Sequence, residues 1–343
     1  PYVLPPGIER EKIYATTSMT DMNEQAQSLK IGELSDGDAR AIYKSMELDM
    51  RQYKHLRMFV HAEQLNEFDQ YKKGDLSIFV RLGTDFTNNY YEYELPLTFT
   101  PWYTGYNNEE LIWPESNNVD IDLEQLVKVK ENRNAKIRAN DITVSSTIPY
   151  HEIIDGKKMT VVGMPNIAGV KVLMIGIRNP KKQNINDNDD MLPKSAEIWI
   201  NELRLTDFNR SGGWAATGFA RTNLADLGDV SLSASHRSAG FASLEQSISE
   251  ISQEAITSLD FATNIEVGKF FPEDWGVRLP VHFDYSQSVS NPKYNPLDPD
   301  VKLENDLLSY RTEAERDSIR HMVQDYVSRT NFNLMNIRKD RLG

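Results

Sequence analysis

The side chains most capable of chemistry are scattered along the chain rather than grouped at the spacings that catalytic or metal sites need. The six histidines include no pair at a helical ligand spacing such as HExxH. Neither a GxSxG nucleophile elbow nor a glycine-rich phosphate loop occurs, and no spacing singles out a catalytic pair among the 51 acidic residues. We therefore expect no catalytic residue, no metal site and no cofactor.

The acidic run from Asn186 to Asp190 is the segment richest in oxygen ligands of the kind that calcium prefers. Counted from Asp187, it lacks the glycine at the sixth position and the acid at the twelfth that a calcium loop requires. We interpret this run as a solvated loop.

The loop that begins at Pro101 concentrates aromatic side chains, namely Trp102, Tyr103, Tyr106 and Trp113. Rings at the rim of a β-sandwich can stack on sugars, and large aromatic residues also anchor loops by being buried. Both interpretations are open at this point. The four residues are our candidate contacts with a ligand or partner.

The elements that would position these residues are β-strands. Alternating or continuous apolar residues predict strands at 45–50, 56–62, 76–83, 90–99, 159–164, 170–178 and 196–205. One short helix is expected near 123–130. This pattern favours a jelly-roll-like β-sandwich over residues 41–213, preceded by a polar, turn-rich arm at 1–40.

The alternation also predicts the core of the sandwich. The strand at 196–205 changes parity near Asn201, which indicates a slip of register. The residues expected to be buried are Phe59, Ile78, Val80, Leu95, Leu97, Ile175, Ile198 and Ile200.

A different pattern begins at Trp214, after Gly212 and Gly213. About four segments within 214–290 alternate apolar with small or polar residues, and they approach the roughly 9 to 11 residues that a tilted strand needs to cross a bilayer. Short and long connections also alternate, as in outer-membrane barrels. A soluble antiparallel sheet is the competing interpretation on pattern alone.

The membrane interpretation assigns side chains to two faces, because successive residues of a strand point to opposite sides. The interior side would carry Ser231, Ser233, Glu266, Arg278 and His282. The lipid-facing candidates are Val230, Leu232, Val267, Leu279, Val281 and Phe283. Residues 291–343 are predicted to form a long loop with an amphipathic helix at 312–328, opened by a capping box, and then the start of a further strand.

Length and composition limit the number of domains, the kinds of partner and the ways of crossing a membrane. The length of 343 residues suffices for two domains, and a net charge of -13 argues against nucleic acid as a partner. The chain lacks cysteine, starts without Met and has no apolar run long enough for a membrane-spanning helix. We interpret it as an internal part of a longer polypeptide.

Several short strings, in order along nearly the whole chain, resemble the SprA/Sov family, the outer-membrane translocon of the type IX secretion and gliding-motility apparatus of Bacteroidetes. The longest string is AEIWINELRLTDF at 196–208. The others lie at 2–10, 36–40, 58–63, 89–94, 213–216 and 291–296.

The resemblance implies a very large transmembrane β-barrel through which folded cargo proteins leave the periplasm, with a PorV-type barrel partner at its side. It makes the membrane interpretation of 214–290 the preferred one, with outer-membrane lipid and the rest of the barrel as neighbours. Loop lengths then predict that residues 1–213 lie on the extracellular side. The alternative is a secreted carbohydrate-binding β-sandwich followed by a soluble β domain.

Overall fold

The computed structural model describes residues 3–10, 12–15, 18–21, 25–102, 108–183, 189–209, 212–242, 245–246 and 251–340. The chain divides into two compact units, Pro1–Asn209 and Arg210–Gly343, called here the N-terminal unit and the C-terminal unit. Most of the regular structure is antiparallel sheet, which confirms the prediction of a mostly β chain.

The N-terminal unit is built on two antiparallel sheets. Its strands are β1 (Lys12–Ala15), β2 (Ser18–Asp21), β3 (Gln27–Leu34), β4 (Ala39–Leu48), β5 (Tyr53–Gln64), β6 (Ser77–Gly83), β7 (Tyr90–Pro96), β8 (Val119–Asp122), β9 (Tyr150–Ile154), β10 (Lys157–Val162), β11 (Val170–Arg178) and β12 (Lys194–Phe208). A six-stranded sheet has the order β4-β11-β6-β7-β10-β9, a four-stranded sheet has the order β3-β12-β5-β8, and β1 pairs with β2. The chain passes repeatedly between the two larger sheets, as it does in a sandwich.

One face of each large sheet is apolar and buried, so the two sheets enclose a core. Of the predicted core residues, Ile78, Val80, Leu95, Leu97, Ile175, Ile198 and Ile200 are buried. Phe59 is only half-buried, which corrects the prediction. It lies on the outer face of β5 because its neighbours Met58 and Val60 take the inward positions of the alternation.

The predicted slip in the strand at 196–205 is present. The pairing of β12 with β5 shifts between Asn201 and Arg204, and Glu202 adopts a positive φ of 54° there. The slip gives the two halves of β12 different parities, as the change of alternation indicated.

The N-terminal arm departs from the prediction. Residues 27–34 are not an irregular arm but form β3, which pairs with β12 and buries Ile31 and Leu34. An edge strand with so few inward apolar residues carries almost no alternation signal.

Helix α1 (Glu109–Ile112) is short, and helix α2 (Leu123–Arg138) extends well past the predicted end at Lys130. The apolar pattern stops there, but the helix stays packed because buried Lys130 donates to the Pro165 carbonyl at 2.7 Å and Arg133 donates to that of Gly163 at 2.7 Å. Asp122 caps its start by accepting from the backbone N–H groups of Glu124 and Gln125.

The C-terminal unit is organised on one open sheet of five strands in the order β13-β14-β15-β17-β20. Its strands are β13 (Ala215–Asn223), β14 (Gly228–Arg237), β15 (Glu254–Glu266), β16 (Val277–Arg278), β17 (Pro280–Pro292), β18 (Tyr294–Asn295), β19 (Asp298–Lys302), β20 (Asp325–Leu334) and β21 (Arg338–Lys339). The small strands pair as β16 with β21 and β18 with β19.

Helices α3 (Leu303–Leu308) and α4 (Glu313–Val323) lie between β19 and β20. The predicted capping box is present at the start of α4, where Thr312 and Glu315 exchange side-chain-to-backbone hydrogen bonds. The helix ends at Val323 rather than at residue 328, because from Asp325 onward the backbone pairs with β17. Among the helices in the described part of the chain, none is both long and apolar enough to span a membrane.

Candidate functional site

The strand register of the five-stranded sheet gives each of its sides a distinct chemistry. Directly paired residues lie on the same side of a sheet, so Val230, Thr263, Phe283 and Phe332 form one row across four strands. We call this side the apolar face. The opposite side, which includes the row of Ser231, is called the polar face.

The apolar face combines bulky apolar residues with small or uncharged polar ones. In these five fully described strands, none of its positions is Asp, Glu, Lys or Arg. Its bulky residues are Val230, Leu232, Leu259, Phe261, Ile265, Val281, Phe283, Tyr285, Val289, Tyr326, Phe332 and Leu334.

Large side chains of the apolar face remain open rather than buried in a core. Leu232 is 44% exposed and Phe332 is 62% exposed. Contiguous exposed apolar surface is unfavourable in water and marks a surface that contacts lipid or protein.

The polar face carries the charges of the same five strands. They are Arg221, Asp229, Arg237, Glu254, Asp260, Glu266, Asp284, Asp325 and Arg329. Asp229 accepts from Arg221 Nη2 at 3.3 Å and from Asn264 Nδ2 at 3.1 Å, and Asn264 Oδ1 lies 2.7 Å from His282 Nδ1. Mixed charges held in polar contacts are typical of a surface that faces water.

The register brings most of the lipid-facing candidates together. Val230, Leu232, Val281 and Phe283 all lie on the apolar face. Val267 and Leu279 lie outside the five-stranded sheet and therefore not on its apolar face, which corrects the prediction for these two residues. Val267 begins a 3₁₀ helix (Val267–Phe270) and donates its N–H to the Leu279 carbonyl at 2.9 Å, where the chain passes from β16 to β17.

Most residues predicted for the interior side also lie together on one face of the sheet. Ser231, Ser233, Glu266 and His282 lie on the polar face. Arg278 belongs to β16 instead, where it forms an ion pair with Asp340 at 2.7 Å.

Sequence reasoning missed the contribution of β20 to the apolar face. Phe332 and Leu334 pair with Phe283 and Val281. The predicted helix continues to residue 328 and therefore overlaps the start of this strand. The alternation of Tyr326, Phe332 and Leu334 with Asp325, Arg329 and Asn333 is the signal that identifies it.

The aromatic loop is only partly described, since Tyr103 and Tyr106 lie outside the described residues. Trp102 is 39% exposed. Trp113 is 2% exposed, packs edge-on against Phe59 and donates its indole N–H to the Val3 carbonyl at 2.9 Å. Trp113 therefore anchors the loop and offers no free ring face to a sugar.

A buried charged cluster on the outer face of the six-stranded sheet is a second candidate. Arg178 bridges Glu92, at 3.0 Å, and Glu94, while Arg81 Nε donates to Glu92 at 2.9 Å and Ser77 Oγ donates to Glu94 at 2.6 Å. Burial alone would lower the pKa of Arg178, but the two carboxylates raise it. Because these groups satisfy one another, the cluster serves to hold three neighbouring strands together.

Metal ligands do not converge in the described part of the chain, where no group of three or more His, Asp or Glu side chains is suitably placed. Of the acidic run at 186–190, residues 186–188 lie outside the described residues. Asp190 pairs with Lys194 at 2.6 Å.

A comparison with protein families gives a match. The family model SprA_N, described as motility related/secretion protein, matches residues 1–307. The match extends over the sandwich, over four strands of the five-stranded sheet and into helix α3. No curated protein matches the chain.

Proposed function

The chain belongs to the SprA family of motility-related secretion proteins, and on that premise we propose that it forms one segment of a protein-conducting channel in the bacterial outer membrane. In this proposal the five-stranded sheet is part of the wall of a larger β-barrel that exports folded proteins. The role is structural and serves transport, without catalysis.

The separation of charge between the two sides of the sheet is the observation that carries this proposal. A barrel wall needs a lipid side without charges and an interior side that tolerates water and ions. The apolar and polar faces of the five strands meet both requirements. In a soluble sandwich, a second layer would be expected to bury the apolar face.

Strand length supports the same assignment. β13 and β14 have 9 and 10 residues, and β15 and β17 have 13 each. A tilted strand crosses a bilayer with about 9 to 11 residues. Five strands cannot close a barrel with a protein-sized interior, so the edges of β13 and β20 would pair with further strands of the wall.

Sidedness follows from the connections between strands. The connections 238–253 and 293–324 both lie at the end of the sheet where β13 begins at Ala215, whereas the other end carries the turn 224–227 and the shorter connection 267–279. Long connections of outer-membrane barrels are external. We therefore propose that the N-terminal unit, joined to β13 at that end, is extracellular.

The partners of this segment are part of the proposal. The interior side would meet secreted cargo proteins, and the apolar side would meet outer-membrane lipid or a PorV-type barrel. The carbohydrate-binding alternative has less support, because Trp113 is buried.

A matched pair of substitutions tests the proposal, because Val281 and His282 are neighbours on opposite faces. Val281→Arg should destabilise the assembled protein by about 2–4 kcal/mol near the bilayer midplane, and His282→Arg by much less. The readouts are the amount of heat-modifiable protein in the outer membrane and the secretion of cargo. Equal tolerance of arginine at both positions would contradict a lipid-facing wall.

A further inference from the structure

The bulky residues of the apolar face are concentrated at one end of its strands. We call the end that contains Gly228, Glu266 and Leu334 the turn end, and the end that contains Ala215 and Pro292 the long-connection end. The turn-end half of the face carries Val230, Leu232, Phe261, Ile265, Val281, Phe283, Tyr285, Phe332 and Leu334.

The long-connection half of the same face is chemically different. It carries only three bulky residues, which are Leu259 and the directly paired Val289 and Tyr326. The rest are Ala216, Gly218, Ala234, His236, Ala255, Thr257, Gln287, Asn291 and Ser328. Some of these polar groups are paired, since His236 Nδ1 lies 2.8 Å from Thr257 Oγ1 and Asn291 Oδ1 accepts from Gln324 Nε2 at 2.8 Å. Even so, a face with this many amide, hydroxyl and imidazole groups suits water better than hydrocarbon.

Exposed apolar residues continue past the turn end of the sheet. Phe271 and Trp275 stack with ring centroids 5.9 Å apart, and Trp275 is 54% exposed. Ion pairs accompany them, since Lys269 binds Asp226 at 2.6 Å and Arg278 binds Asp340 at 2.7 Å. Aromatic residues beside charged groups are typical of the boundary between hydrocarbon and water.

A second boundary lies within the sheet at Tyr285. Its hydroxyl donates to the side chain of Gln287 at 2.8 Å, two residues farther along β17. A tyrosine with an apolar ring and a satisfied hydroxyl suits the interfacial girdle of a membrane protein. Beyond Gln287, β17 continues to Pro292.

The distance between these boundaries fits a bilayer. Eight residue steps separate Val277, which follows the Phe271–Trp275 pair, from Tyr285. Only Pro280–Tyr285 of this span belongs to β17, so at about 3.4 Å per residue and a strand tilt of about 40° the span covers at most roughly 20 Å along the membrane normal, compared with an apolar band of about 25 Å in outer-membrane barrels.

We infer that hydrocarbon covers only the turn-end half of the apolar face, from the Phe271–Trp275 pair to Tyr285, and that the long-connection half stands clear of the bilayer. This inference rests on the proposed function. It means that the wall at β15 and β17, with 13 residues each, is taller than the membrane and extends beyond it on the side that carries the long connections.

A ladder of single cysteines along β17 tests the inference, because the chain has no cysteine of its own. The full-length protein, with any cysteine outside these 343 residues replaced by serine, is reconstituted in phospholipid vesicles and spin-labelled in turn at Val281, Phe283, Gln287, Val289 and Asn291. The accessibility of each label to oxygen, which enters lipid, is compared with its accessibility to a water-soluble nickel chelate.

We expect labels at Val281 and Phe283 to favour oxygen and labels from Gln287 onward to favour nickel. If the outer three positions favour oxygen as well, hydrocarbon covers the whole face, and the depth inference is wrong while the proposed function stands. If those positions exclude both reagents, a protein covers them in place of hydrocarbon, which agrees with a hydrocarbon boundary at Tyr285. If Val281 and Phe283 favour nickel, the proposed function itself fails.

Two further sets of labels make the result independent of one strand. Val230 and His236 on β14 belong to the turn-end and long-connection halves and should repeat the reversal seen on β17. Ser286 and Ser288 on the polar face should favour nickel at both depths. If the β14 labels do not change from oxygen to nickel accessibility in the same way, the edge of the hydrocarbon does not lie at one depth across the sheet.

Discussion

The two units use the same alternation of apolar and polar residues and reach opposite outcomes. In the N-terminal unit, Val60 and Ile198 lie on the same face of the paired strands β5 and β12 and are completely buried, because a second sheet covers that face. In the C-terminal unit, Leu232 and Phe332 alternate just as regularly and remain open. A period of two determines which residues share a face, but not what covers that face.

The units also differ in where their charged side chains lie. The N-terminal unit buries Glu92 and Glu94 and neutralises them with Arg178. The C-terminal unit keeps the charges of its five-stranded sheet on the polar face, with Arg221 and Asp229 paired near water. One unit is therefore stabilised within itself, and the other has an arrangement suited to lipid on one side and water on the other.

The largest expected effect comes from breaking the buried charge cluster of the N-terminal unit. Arg178→Ala leaves two buried carboxylates without their shared partner and should cost about 3–5 kcal/mol. Urea unfolding monitored by hydrogen exchange in β6, β7 and β11 measures it. The control Arg40→Ala removes an exposed pair with Asp38 at 3.7 Å and should cost about 1 kcal/mol or less. Equal costs would contradict the stabilising role of the buried cluster.

A matched core deletion tests the difference in layering directly. Ile198→Ala in the sandwich should destabilise by about 2–5 kcal/mol, as large-to-small changes in a core do. Leu259→Ala on the apolar face should cost about 0.5 kcal/mol or less, as at other exposed positions. Both are measured by denaturant unfolding of the full chain in detergent. A large cost at Leu259 would indicate that this face packs against protein.

A smaller difference in stability is expected between substitutions of one buried and one exposed tryptophan. Trp113→Phe removes the indole donor to the Val3 carbonyl and part of a buried ring, so about 1–3 kcal/mol of stability should be lost. Trp275→Phe changes an exposed ring and should leave the unfolding midpoint nearly unchanged. Thermal unfolding followed by near-ultraviolet circular dichroism distinguishes them. Unchanged stability in Trp113→Phe would reopen a ligand-binding role for the loop.

The smallest effect concerns acid stability of the sandwich. Burial alone would raise the pKa of Asp85, but hydrogen bonds from Asn88, Asn89 and Thr87 hold that pKa well below its usual range. The stabilisation that ionised Asp85 contributes is therefore complete above the usual aspartate pKa of about 4, and it is lost as the pH falls towards the lowered pKa of this residue. Asp85→Asn should cost about 0.5–1.5 kcal/mol at neutral pH.

Acid dependence is the specific readout for Asp85. Between pH 5 and pH 3, the urea midpoint of the N-terminal unit should fall less in Asp85→Asn than in the unchanged protein. An identical slope in both proteins would contradict the role of this carboxylate.

Strand positions were predictable where one face is strongly apolar. The strand at Val170–Arg178 was predicted with its observed bounds, and the register slip near Asn201 was visible as a change of parity. The capping box at Thr312 gave the start of α4, because side-chain-to-backbone hydrogen bonds are local in sequence.

Other features depended on contacts that are distant in sequence. β3 forms because β12 offers an open edge, and the second half of α2 persists because Lys130 and Arg133 reach carbonyl groups of Pro165 and Gly163. Helix α4 ends and β20 begins where β17 provides hydrogen-bond partners. No local pattern contains this information, since the stabilising partners lie up to 173 residues away in the sequence, as Gln27 does from Ile200.

The sequence by itself therefore determined the class of structure, the two kinds of β segment and which side chains of a strand share a face, because these follow from backbone geometry and a period of two. Only the tertiary structure decided which faces are covered, which polar groups are paired and how the strands of the second unit align into charged and uncharged sides. Those properties arise from the register between strands, and register is set by hydrogen bonds and packing between segments that are far apart in the chain.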